Sequence, residues 1–85
     1  MMTLETVRSN LIAMQKDELT DVQKYSEIAK LMHEEGHDDY AQIFRDMARE
    51  EHTHAHHIRE MAEDMGIKGT LADEWRAADK SIADV

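Results

Sequence analysis

Residues 40–66, YAQIFRDMAREEHTHAHHIREMAEDMG, contain no proline and no glycine before the last position. Tyr40, Phe44, Met47, Ile58, Met61 and Met65 recur in steps of three and four, the period of a helix that buries one stripe. Between Met47 and Ile58 the same steps fall on Glu51 and His54, two polar residues in an apolar row. A parallel row, Ala41, Ala48, Ala55 and Ala62, repeats every seven residues and lets a neighbouring helix approach closely. The stretch reads as one long helix ended by Gly66.

The preceding segment reads the same way. Nothing breaks a helix from Leu4 to Glu35, and its stripe runs Leu4, Val7, Leu11, Met14, Glu18, Val22, Tyr25, Ala29, Met32. Gly36 stands where a left-handed C-terminal cap belongs. Asp38 and Asp39 offer N-cap side chains, and Asp39 with Gln42 has the spacing of a capping box. Gly66-Ile67-Lys68-Gly69 is a linker, after which Thr70 caps a short third helix to about Ala83 that aligns Leu71, Trp75 and Ala78. The expected fold is all-α. Residues 1–66 form an antiparallel hairpin with helices of about 4–35 and 39–65. Residues 67–85 form the linker and short helix, and two such chains dimerise into a ferritin-like four-helix bundle.

A chain of 85 residues buries a small share of its surface, so a disulfide, a metal or a partner chain is the usual support. Cysteine is absent, which removes disulfides and thiolate sites. Metal bound by His and carboxylate, or oligomerisation, remains. Ten Lys and Arg against 19 Asp and Glu give a net charge of −9, which repels phosphate backbones and anionic membranes and attracts cations. We expect neither a nucleic-acid nor a membrane partner. No basic region precedes an apolar run at Met1–Glu5, so the expected location is the cytosol. The seven methionines need no cofactor to explain them, since methionine is a common gap-filler in cores.

Glu18 joins Glu51 and His54 as a polar member of the seam. Burying an unpaired carboxylate is costly. In a hairpin turning near Gly36 and His37, Glu18 falls opposite His54 and about one turn from Glu51. Glu51 and His54, three residues apart, share a face about 4.5 Å apart along the axis. A carboxylate on one helix with Glu-x-x-His on another is half of a dinuclear carboxylate site. The plain alternative is a buried Glu–His hydrogen-bond network. His52 and His56 are expected on an outward, solvated face. His57 lies one position off the seam and could support the ligands, and His33 and His37 flank the turn without chemistry.

From Glu18 to His54 the sequence resembles the first helix pair of rubrerythrin, a ferritin-like di-iron family. Glu18, Tyr25, Ala29, Gly36, Ala41, Phe44, Ala48, Glu51 and His54 fall in register without a gap. The resemblance implies that Glu18, Glu51 and His54 are iron ligands, with Glu51 bridging and the other two terminal. It also implies that Tyr25 is the family tyrosine that hydrogen-bonds near them. Rubrerythrin has a second helix pair and a cysteine-ligated electron-donor domain, neither of which this sequence holds. In that respect it is closer to the encapsulated ferritins, two-helix chains that build the site between subunits, although Lys80–Val85 does not match their shell-targeting peptide.

The expected function is ferroxidase: two Fe²⁺ per dimer, oxidised by O₂ or peroxide to an Fe³⁺ pair, as an iron-storage component inside an encapsulin shell or free in the cytosol. Mn and Zn suit the same oxygen and imidazole donors. One alternative is peroxide reduction with an external electron donor. Another is a non-catalytic helical oligomerisation module whose polar seam sets register.

Overall fold

Two glycines set the lengths of the long helices. Gly36 adopts φ +84° and Gly66 φ +85°, backbone in which a side chain would be strained. After Gly36, the His37 N–H bonds Met32 C=O at 2.8 Å and the Gly36 N–H bonds His33 C=O at 3.0 Å. After Gly66, Ile67 and Gly66 donate to Ala62 and Glu63 in the same way, each at 2.9 Å. Both are Schellman caps, which satisfy the last carbonyls of a helix. At the other end of the first helix, the Thr6 N–H donates to Thr3 Oγ1 at 3.1 Å.

The computed structural model describes all 85 residues as α1 (Leu4–Glu34), α2 (Asp38–Asp64) and α3 (Ala72–Ala83), with no strand. The all-α expectation of two packed long helices and a short third one holds. Two caps differ from expectation. His37 is the N-cap of α2 and makes no side-chain bond. Asp38 instead pairs with His33 Nδ1 at 2.6 Å across the turn, and Gln42 donates to Asp46, so no capping box forms. Thr70 does not cap α3; Leu71 does, at φ +59° and without a side-chain bond. A left-handed leucine costs about 1 kcal/mol or more. Its side chain packs against the core, which offsets that cost.

The alanine row is the line of contact. Ala41, Ala48, Ala55 and Ala62 are each at most 1% exposed, because a methyl group lets the α1 and α2 backbones close together. On α1 the buried positions are Leu11, Gln15, Leu19, Val22, Ser26 and Ala29. This face is rotated from the expected stripe: Leu11, Val22 and Ala29 are inside, whereas Leu4 and Met14 are exposed. The rotation follows from α3, which returns onto one flank of the contact and buries Trp75 and Ala78 against Leu19, Val22 and Ala55. A second cluster, Leu11, Ile58 and Ala62 with Val7, Met65 and Ile67, closes the end far from the turn.

The two long helices pack side by side as one layer, and with α3 added the Cα atoms span 13 Å in the thinnest direction. Such a layer has two flanks to cover, and α3 covers one. On the other, Met14, Tyr40 and Met61 remain about half exposed, at 49%, 50% and 48%. Lys80–Ala83 is the last turn of α3, with Ile82 against the core. No helix is long and apolar enough to cross a membrane.

Candidate metal centre

The uncovered flank carries the three polar residues of the seam. Glu18 projects from the middle of α1, and Glu51 and His54 from the middle of α2. One carboxylate oxygen from each glutamate and one ring nitrogen of His54 lie within 4.8 Å of one another. His54 Nδ1 is 3.6 Å from Glu18 Oε2 and 3.7 Å from Glu51 Oε1. These separations are too long for hydrogen bonds. They are close to the ~3–4 Å between ligand atoms that each stand about 2.1 Å from a shared cation.

The local electrostatics favour a cation. Glu18 Oε2 is fully enclosed yet has no hydrogen-bond partner. Glu51 is pushed up to about 7 from the usual 4.5: its carboxyl lies against that of Glu18, where a shared proton is favoured, it is partly buried, and it faces the Glu18 charge. Asp21 adds to the rise, and His54 opposes it. A proton on Glu51 therefore relieves the repulsion that a divalent ion would relieve more fully. Two carboxylates and an imidazole suit iron, manganese or zinc. The residues present fit such an ion.

Tyr25 is half-buried beside this flank, its ring 6.1 Å from that of Phe44 and under the Lys24 ammonium. It makes no hydrogen bond to Glu18, Glu51 or His54 within the chain. His57 is exposed and makes neither a hydrogen bond nor an ion pair.

His52 and His56 are not on a solvated outward face. They lie half-buried on the opposite flank of the alanine row, because α3 folds over them. His52 Nε2 donates to Asp79 at 2.7 Å, and the His56 ring packs 4.7 Å from the Trp75 ring. Burial is the main cause that lowers the His56 pKa, with help from His52 and Arg59 and opposition from Asp79 and Glu60. Arg59 completes the cluster with its guanidinium 4.4 Å over the Trp75 ring. Beneath it, Trp75 Nε1 donates to Oε1 of Gln15, a residue fully buried and absent from the expected seam. The available signal was the row Leu11, Gln15, Leu19, Val22, Ser26, Ala29, itself in helical steps.

A family model described as Rubrerythrin matches residues 10–80. The chain belongs to the rubrerythrin family. The match runs beyond the Glu18–His54 resemblance and into α3, so it takes in Trp75 and the covered flank as well as the open one. Rubrerythrin proteins are a ferritin-like, iron-binding family, and Glu18, Glu51 and His54 form a group on this chain that could hold a metal ion. No curated protein and no solved structure matches the chain.

Proposed function

We propose that two chains pair through the uncovered flank, bringing four glutamates and two histidines together, and that this shared centre is a ferroxidase. The observation that carries the reading is the convergence of Glu18, Glu51 and His54 on the one flank the chain leaves bare. One chain offers three ligand residues, and a two-fold partner offers the same three. The pair matches the donor complement of a di-iron carboxylate bundle.

Iron is the substrate in this reading. Each of two Fe²⁺ gives up one electron; peroxide takes both with two protons and leaves as two waters. O₂ can serve as the oxidant in its place. The protein's part is to gather and hold the ions. The acidic surface raises the local cation concentration. Glu51 releases its proton as Fe²⁺ enters, and Glu18 Oε2 gains the partner it lacks within the chain. His54, the most exposed of the three at 56%, is the ligand most open to approach.

The test is anaerobic addition of Fe²⁺ followed by air, with ferric absorption as the readout. One rapidly oxidised iron per chain is expected. No stoichiometric uptake would leave an oligomerisation module as the better reading. Family membership favours one further activity of the same centre, peroxide reduction with an external donor. Sustained peroxide turnover under anaerobic conditions with added reductant separates it from a single round of iron oxidation.

A further inference from the structure

Only two buried side-chain nitrogen or oxygen atoms in the molecule lack a hydrogen-bond partner: Gln15 Nε2 and Glu18 Oε2. One is purely a donor and the other, on an ionised carboxylate, purely an acceptor. They sit three residues apart on α1, a spacing that places side chains side by side on a helix, about 5–6 Å between Cβ atoms. Two unrelated defects would have no reason to be neighbours of opposite type.

The orientation of the Gln15 amide is fixed from the far side. Trp75 Nε1 can only donate, so the Gln15 atom that meets it must be the carbonyl oxygen. The NH₂ group then diverges from the indole, which leaves it free for α1's other flank, where Glu18 stands. A flipped amide would put donor against donor at Trp75.

We propose that Gln15 is a positioning residue for the metal centre. Its Nε2 donates to Glu18 Oε2, directly after a small side-chain rotation or through one water, and Trp75 on α3 holds the amide in the orientation that allows it. The link rests on Glu18 being a metal ligand. Its role is to fix which carboxylate lone pair faces the ion and to keep Glu18 turned toward the seam. Outer partners of this kind typically change metal affinity 10–100-fold when removed. It also connects the two flanks of the hairpin: the helix that closes one flank orients a ligand on the other.

The experiment uses Co²⁺ titration of the intact chain, followed by visible absorption, with infrared spectra of the metal-free protein. Glu18→Ala should abolish tight Co²⁺ binding, and its difference spectrum identifies the Glu18 carboxylate stretch. Gln15→Met keeps the volume and removes the donor. It should weaken Co²⁺ binding about tenfold or more and shift the Glu18 band in the absence of metal. Trp75→Phe should produce the same band shift and a smaller loss of affinity. The double variant Gln15→Met with Trp75→Phe removes donor and acceptor together. Its loss of thermal stability should be smaller than the sum of the two single losses, while Co²⁺ affinity is not recovered. A purely structural role predicts the opposite pattern, in which affinity follows stability; that result, or an unmoved Glu18 band in Gln15→Met, overturns the link. Failure of the wild type to bind Co²⁺ with an intact band shift would instead overturn the metal reading of the site.

Discussion

On one flank of the alanine row, α3 lays Trp75 and Ala78 over Leu19, Val22 and Ala55, and nearby polar groups find partners: His52 with Asp79, Gln15 Oε1 with Trp75. On the other flank, Met14, Tyr40 and Met61 stand about half exposed along the length of the helices, and two carboxylates face each other midway, one with an unpartnered oxygen. Both flanks border the same two helices and both contain polar side chains. The difference is that α3 covers one flank and no element of the chain covers the other. Polar groups find partners where the covering element supplies complementary donors and acceptors. Where two acceptors face each other without a donor, a proton or a cation has to stand in.

The largest effect should come from removing that bare set. Glu18→Ala, Glu51→Ala and His54→Ala should each slow the rapid phase of iron oxidation by at least about 100-fold, since each deletes a proposed ligand. His52→Ala and His56→Ala, on the covered flank, should lower thermal stability but keep the rapid phase in the folded fraction. Stopped-flow ferric absorption alongside thermal melts checks both halves. If the His52 and His56 variants lost oxidation while Glu18→Ala kept it, the roles of the two flanks would be reversed.

Next in size is the cover itself. Trp75 is 5% exposed, and Phe- or Trp-to-Ala changes in cores cost about 3–5 kcal/mol. A small domain has roughly 5–15 kcal/mol in total. Trp75→Ala should therefore leave α3 undocked or the chain largely unfolded at room temperature, measured by urea unfolding. Retention of most of its stability would mean that α3 is not what closes this flank.

The division between flanks was only partly legible in the sequence. Gly36 and Gly66 marked the helix ends because a left-handed residue there has few substitutes. The alanine row marked the contact because its seven-residue repeat admits little else. Glu18, Glu51 and His54 stood out as polar residues in an apolar row. Periodicity sorts residues around a helix, however, and does not tell which side a later segment will cover. His52 and His56 therefore read as solvated although α3 lies on them, and the expected stripe passes Gln15 by. The caps at Asp39 and Thr70 failed for a related reason. Asp38 and Gln42 each had a second partner in space, His33 and Asp46, and Leu71 gained more from packing than Thr70 could from capping.

A pH titration sharpens the contrast with a smaller effect. Glu51 is raised from 4.5 to about 7, so the folded metal-free chain favours its protonated form more than the unfolded chain does. The sign follows: this contribution is fully present below pH ~4.5 and is lost as pH rises through about 7. Melting temperature of metal-free wild type should fall across that window, and Glu51→Gln should flatten the fall. Divalent metal should reverse it at neutral pH, because coordination replaces the proton and binding to the folded state alone adds about 2.7 kcal/mol at a hundredfold excess over Kd. A wild-type profile indistinguishable from Glu51→Gln would mean the two carboxylates do not meet.

The smallest expected change concerns Met61, and its smallness is informative. In the single chain Met61 is 48% exposed, so exchanging it for a polar residue removes little buried area. Met61→Ser at high dilution should move unfolding by no more than about 0.5 kcal/mol, the range of surface substitutions. If the uncovered flank is where two chains meet, the same substitution places a hydroxyl in the interface and weakens association. Sedimentation with Zn²⁺ present, at concentrations where wild type forms larger species, should then show Met61→Ser shifted toward the single chain. His57→Ser is the control: it too is an exposed residue of α2, but not on the apolar stripe. Equal sedimentation of wild type and both variants, with metal bound in all three, would place the meeting surface elsewhere. A stability loss in Met61→Ser at high dilution as large as that of a core truncation would show instead that the chain covers this flank by itself.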